Sequence, residues 1–292
     1  MLGANACCSA IVPKFTAWNS IDCRPGVCHL TSGLVTNLTI ALKPISDTPC
    51  KICGGAAPLC GSADFNKRCD IAGSKQPPAS GVPVHYRQCA SCGFLFTDAF
   101  DDWSQDDFKT HIYNDGYLAV DPEYVSARPR ANAGAVQQLF GARKASVRLL
   151  DYGGGNDVLC AALRAAGFPS AQTYDPFVAE FARRPEGKFN LITCFETLEH
   201  MPDPMGGIAD ILASLDEPGL VMFSTLLQPE DIGQIGPLNW WYVGPRNGHV
   251  SLFSRKALAL AWQSRGYRAV SLNDNAHLTF RTLPAFANSP GK

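Results

Sequence analysis

From residue 147 onward, short apolar runs alternate with amphipathic stretches, the texture of βαβ units built around a mostly parallel sheet. Apolar runs at 147–152, 171–174, 191–195, 219–225 and 267–272 predict five strands. Between the first two, Val158, Leu159, Ala162, Leu163 and Ala166 recur at helical spacing, and Gly167 supplies the stop. Ser254 is placed to cap another helix through Leu258, Leu260 and Trp262, ended by Gly266. Upstream the pattern changes. Residues 99–145 predict a largely helical connector, whereas 47–98, rich in Cys, Gly and Pro, predict loops, tight turns and a hairpin. Residues 1–46 carry no sustained period and read as a loosely ordered tail. Its Cys7, Cys8, Cys23 and Cys28 form no CxxC pair, and Asn37 heads an isolated sequon. The expected division is a tail (1–46), a cysteine module (47–98), a helical connector (99–145) and an α/β domain (146–285).

Composition narrows the class. The chain has 292 residues, 46% of them hydrophobic and 17% charged, which suits a globular protein with a sizeable core. A formal net charge of -1, with no basic cluster, argues against nucleic acid or an anionic membrane as partner. No apolar run reaches the ~18 residues of a membrane span, and the N-terminus lacks the basic region of a secretory signal. Twelve cysteines, several in CxxC pairs, favour metal binding in a reducing, cytoplasmic setting over a disulfide framework.

The most informative segment is Asp151-Tyr152-Gly153-Gly154-Gly155, where a buried strand runs through three glycines into a helix. Glycine is needed where the backbone turns sharply and a ligand must approach the main chain. Asp175 follows twenty positions after Gly155, at the end of the next predicted strand, where a carboxylate can accept both hydroxyls of a ribose. A dinucleotide fingerprint beginning at Gly153 needs a third glycine at position 158, which is Val158, so a pyrophosphate site is disfavoured. Asp151 would repel a phosphate but suits an ammonium group. S-adenosylmethionine (SAM) has a ribose, an ammonium and no phosphate.

The glycine segment resembles the first motif of class I SAM-dependent methyltransferases, and Asp175 is similar to their second-strand acid. The run from Phe189 to Pro204, containing Glu196-Thr197-Leu198-Glu199-His200, is similar to their fourth-strand segment. The resemblance spans roughly 50–275 and implies a Rossmann-like sheet with helices on both faces. It implies a SAM site made by Asp151, Gly153, Gly154, Gly155, Asp175, Pro176, Phe195 and Glu196. Two departures stand out. Asp157 occupies the usual third glycine of the loop, and only fifteen residues separate Asp175 from Asn190, so the third strand and its adenine-reading acid are expected to be short or absent.

Cys50-Lys51-Ile52-Cys53-Gly54 and Cys89-Ala90-Ser91-Cys92-Gly93 form two knuckles, whose four thiolates can close a tetrahedral structural Zn²⁺ site. Two reduced or redox-active CxxC pairs are the competing reading, and Cys60 and Cys69 are possible substitutes. Paired knuckles ahead of such a domain resemble zinc-bearing sugar C-methyltransferases and their bacterial relatives. That resemblance implies a module helping to form the substrate side of the cleft.

Glu196, Glu199 and His200 follow the fourth strand and are expected at the ligand crevice. A second cluster, Trp240 to Ser251, predicts a lid in which His249 is the candidate base, Arg246 grips an anionic group and Tyr242 orients the substrate. His200 and Glu196 are the other catalytic candidates, while Tyr113 and Tyr117 are placed at the cofactor pocket. The expected function is methyl transfer to a small-molecule acceptor, a sugar or another bacterial metabolite. The alternative is a non-catalytic zinc-ribbon adaptor whose Rossmann-like domain has degenerated, with Asp157 as the lesion.

Overall fold

The computed structural model describes residues 40–69 and 75–288, together with the backbone of two short upstream strands. The chain forms two compact units, Met1–Thr39 and Ile40–Lys292. In the first, β1 (Cys23–Arg24) pairs antiparallel with β2 (Val27–Cys28). Cys7, Cys8, Asn37 and the side chains of Cys23 and Cys28 lie outside the described residues.

The second unit opens with β3 (Leu59–Asp64), β4 (Pro83–Gln88) and β5 (Leu95–Phe96), the expected hairpin extended by a third strand. Three helices follow, α1 (Gln105–His111), α2 (Tyr117–Val120) and α3 (Ala127–Phe140). Next come β6 (Arg148–Tyr152), α4 (Val158–Ala165), β7 (Ser170–Tyr174), β8 (Phe189–Phe195), α5 (Pro204–Ser214) and β9 (Leu215–Ser224). The remainder is α6 (Ile232–Ile235), β10 (Ser251–Leu252), α7 (Arg255–Gln263), β11 (Arg268–Ser271) and β12 (Ala276–Phe280).

The large sheet has the order β11-β12-β9-β8-β6-β7. Strands β6 to β9 are parallel, and β12 and β11 add antiparallel at one edge. Successive residues of the central strands enter different cores, as the two-residue strand period requires. Leu150, Ile192, Val221 and Phe223 pack against Ile208 and Ile211 of α5 and against Ala257, Leu258, Ala261 and Trp262 of α7. Leu149, Leu191, Leu220 and Met222 pack against α3 and α4 on the other face. Helices therefore cover both faces, the Rossmann-like arrangement expected. Ser254 caps α7 by accepting from the Ala257 N–H at 3.0 Å. No strand lies between β7 and β8 among the described residues, so the third strand is absent.

The cysteine segment does not stand apart from this domain. β10, contributed from beyond β9, completes the small antiparallel sheet in the order β10-β5-β4-β3. Cys50, Cys89, Cys92, Phe94 and Phe96 share one apolar cluster with Phe253 and α7. Among the described residues, no helix is long and apolar enough to cross a membrane.

Candidate active site

The carboxyl ends of β6, β7 and β8 open into a cavity of about 570 Å³, walled by the glycine loop, Asp175, Phe177, Glu196, Tyr113 and Arg128. The three glycines are required for different reasons. Gly153 and Gly155 have φ of 75° and 57°, a left-handed region costly for side-chain-bearing residues. At Gly154, a Cβ would lie 2.5 Å from Asp151 Oδ2 and 2.9 Å from Thr173 Cγ2. The Gly155 N–H donates to Asp175 Oδ2 at 2.9 Å and the Phe177 N–H to Oδ1 at 2.8 Å, so the loop and the acid hold each other. Burial raises the Asp175 pKa, against the pull of those backbone donors.

Asp151 lies under the loop, 4% exposed, with Thr193 Oγ1 donating to it at 2.6 Å. Burial pushes its carboxyl up to about 7. Asp157 adopts the left-handed conformation that favours glycine (φ 63°). Its carboxylate accepts from Thr173 Oγ1 at 2.6 Å and pairs with Arg164, so two anchors offset the backbone strain and the turn keeps its course.

Beyond β8 the chain makes a second left-handed turn at Glu196 (φ 52°). Its N–H and Oε1 both engage Ser224 Oγ at 2.9 Å, and Oε2 lies 3.8 Å from Arg128. Phe195, Pro176 and His200 also line the cavity. Burial holds His200 down at about 4, hence neutral near pH 7.

The Trp240 to Ser251 segment is a buried wall, where the sequence predicts a lid. Trp240, Tyr242, Val243 and Val250 are all core residues, because the segment feeds β10 into the small sheet. Only Trp241 of the aromatic run is exposed. His249 sits 6% exposed behind His200, with ring centroids 4.9 Å apart. Its Nδ1 is 2.8 Å from the Tyr242 carbonyl oxygen, and burial presses its pKa down to about 3. So weak a base, away from the cavity wall, is ill suited to removing a substrate proton directly. Tyr242 donates to Glu199 Oε1 at 2.5 Å and Arg246 to the Ile112 carbonyl at 2.8 Å, so neither reaches toward a substrate. The cation that does line the cavity is Arg128, held by Asp121 at 2.6 Å. Tyr113 and Tyr117 lie at the cavity as expected.

In the small module, the sulfurs of Cys50, Cys53, Cys89 and Cys92 lie within 4.8 Å of one another. Cys50 is 3.5 Å from Cys92 and Cys53 is 3.5 Å from Cys89. Gly54 and Gly93 take φ of 70° and 74°, turning each knuckle back under the sulfurs. The Cys92 hydrogen bond pulls the Cys50 thiol down to about 5 despite its burial. Cys60 instead donates to the Tyr86 carbonyl and Cys69 lies beside His249, so neither joins the four.

Comparisons with known proteins agree with this architecture. A family described as "Methyltransferase domain" matches residues 124–272. The ubiquinone biosynthesis O-methyltransferase of Aromatoleum aromaticum is 33% identical over 105 positions, covering 28% of this chain and 45% of that relative. This chain thus spans under half the length of the curated relative it matches. Similar solved structures include the mitomycin 7-O-methyltransferase (14% identity, 61% of this chain and 60% of that one, TM-score 0.46). Another is the magnesium protoporphyrin IX methyltransferase of Synechocystis with bound S-adenosylhomocysteine (13% identity, 63% and 97%, TM-score 0.41). With the family match covering more than half its length, the chain belongs to the methyltransferase domain family.

Proposed function

We propose that this chain is a SAM-dependent methyltransferase acting on a hydroxyl oxygen of a small-molecule acceptor. The observation that carries the reading is the glycine loop clasped to Asp175 at the mouth of parallel strands, facing a cavity of about 570 Å³. That volume lies within the roughly 300–1,000 Å³ of small-molecule sites. Oxygen is chosen over carbon or nitrogen because the curated relative is named an O-methyltransferase. A hydroxyl-bearing metabolite of sugar size is the acceptor class. Bound SAM supplies an electrophilic methyl group, whose carbon–sulfur electron pair returns to sulfur on transfer.

The chain's own residues then divide the work. Asp175 accepts the ribose hydroxyls, Asp151 faces the ammonium, and Phe195 and Pro176 wall the cofactor. Glu196 takes the acceptor proton, with the Arg128 guanidinium 3.8 Å from its Oε2. The four cysteines fit one Zn²⁺, since sulfurs bound at ~2.3 Å in a tetrahedron sit a little under 4 Å apart. A closed four-thiolate site has no open position, so zinc serves the fold. Free thiols suit a reducing, cytoplasmic setting.

Incubation with methyl-labelled SAM and a panel of hydroxylated acceptors tests the proposal. Label in an acceptor, matched by S-adenosylhomocysteine, is expected, with a loss of roughly 10²-fold or more in Glu196→Gln. A chain that binds SAM and labels no acceptor would point to the adaptor reading instead.

The pH dependence of SAM affinity follows from Asp151. Its raised pKa means that the folded free chain holds this proton more tightly than the unfolded chain. The stability it contributes is therefore full below about pH 4 and is lost as pH rises through about 7. An ammonium beside it reverses the preference and expels the proton. SAM affinity should rise about tenfold from pH 5.5 to 7, with proton release on binding, and Asp151→Asn should flatten the rise. Calorimetry in buffers of different ionisation heat reads both, and a pH-independent affinity in the wild type would remove Asp151 from the ammonium site.

A further inference from the structure

At the cavity wall and directly behind it lies a group of side chains to which the cofactor reading gives no role. One donor atom each from Glu199, His200 and His249 lies within 4.8 Å of the others. The elements explain the convergence. Glu199 and His200 occupy the short turn after β8, and the Val250 N–H donates to the Glu199 carbonyl at 2.8 Å, pinning the buried segment that carries His249 against that turn.

Glu199 is fully buried, and its Oε2 makes no hydrogen bond of normal geometry, with the equally unpaired Thr225 Oγ1 as its polar neighbour. A buried carboxylate oxygen with only a hydroxyl beside it, outside normal hydrogen-bond geometry, is costly, and a cation removes the cost. The surroundings also fix the donors. Tyr242 donates to the other oxygen, Oε1, at 2.5 Å. The Tyr242 carbonyl, 2.8 Å from His249 Nδ1, assigns the ring proton to that nitrogen and leaves Nε2 with the free lone pair. Outer partners of this kind orient metal-binding imidazoles and carboxylates.

We propose that Glu199, His200 and His249 bind a divalent transition-metal ion at the edge of the cavity. The site differs in kind from the four-cysteine cluster. Two imidazoles and one carboxylate form an open three-ligand set, suited to ions such as Zn²⁺, Fe²⁺ or Mn²⁺, where four thiolates form a closed one. Because His200 lines the cavity while Glu199 and His249 lie behind it, the unfilled positions of such an ion face the cavity. An acceptor hydroxyl bound there loses its proton more readily, to the Glu196 carboxylate. The freed oxygen then forms the new O–CH₃ bond as the S–CH₃ bond breaks, its electron pair going to sulfur. This catalytic role rests on the methyltransferase reading above; the ion site itself does not.

The test uses the full chain with its zinc content measured and Mn²⁺ as probe, because Mn²⁺ binds thiolates poorly. Loss of the free-ion paramagnetic resonance signal counts bound Mn²⁺. One ion per chain is expected, with affinity weakened by at least about tenfold in both Glu199→Gln and His200→Gln. Glu199→Gln preserves shape and His200 is partly exposed, so at least one variant is expected to melt near the wild type. No Mn²⁺ on folded wild-type chain, or equal affinity in a folded variant, overturns the proposal. SAM titrated on the same samples separates the two claims. Mn²⁺ bound without SAM upholds the ion site and refutes the methyltransferase reading, whereas SAM bound without Mn²⁺ does the reverse.

Discussion

Cys89→Ser lowers the thermal unfolding midpoint of the whole chain by 10 °C or more, and chelation of zinc from the wild type does the same. Structural zinc is worth ~10–16 kcal/mol in small modules, as large as the ~5–15 kcal/mol that holds a typical domain folded. Even a ~4 kcal/mol loss moves the midpoint of a domain this size by roughly 10 °C. The effect reaches beyond the knuckles because Cys50, Cys89 and Cys92 are packed with Phe94 and Phe96 against Phe253, Ala257 and Leu258. Losing an ion held by the four cysteines would therefore loosen the cover over one face of the large sheet. Cys60→Ser is the control, since its thiol makes one hydrogen bond outside the cluster, and should cost no more than ~1 kcal/mol. Differential scanning calorimetry with metal analysis reads all three. If Cys89→Ser and the chelated chain melt with the untreated wild type, the four cysteines do not hold a structural metal.

Much of the sheet was legible because its strands are buried on both faces and read as continuous apolar runs. The predicted runs at 147–152, 171–174 and 191–195 match β6, β7 and β8 within two residues. The missing third strand was legible too, from the shortness of the stretch between Asp175 and Asn190. β12 was not legible. Its inward positions are His277 and Thr279, both fully buried, so polarity hides the alternation. His277 satisfies its ring by hydrogen bonding to the Thr225 carbonyl and to Ser271 Oγ, partners that only the folded chain supplies.

The candidate site divides along the same line. Gly153, Gly154, Gly155, Asp151 and Asp175 were legible because close backbone approach and a carboxylate at a strand end leave fixed spacings. Asp157 looked like a defect, since nothing local indicates that Thr173 and Arg164 will anchor it. Arg128 was missed because it sits in a helix with no motif and reaches the cavity only through tertiary packing. The 240–251 cluster was read as a lid from its aromatic and polar density. That density instead reflects a wall whose polar groups, Tyr242, Asn247 and His249, are bonded inward.

The most direct measurement is a calorimetric titration of SAM into zinc-loaded wild-type chain, with Asp175→Ala alongside. Asp175 accepts the backbone N–H groups of Gly155 in the loop and of Phe177, and in this account also accepts the ribose hydroxyls. Hydrogen bonds to a charged group contribute ~1.5–3 kcal/mol each, so losing two costs ~3–6 kcal/mol, or roughly 10²–10⁴-fold in affinity. The account predicts one SAM per chain in the wild type and at least a hundredfold weaker binding in Asp175→Ala. Folded, zinc-loaded wild type that takes up no SAM, or an Asp175→Ala chain that binds it as tightly, would contradict it.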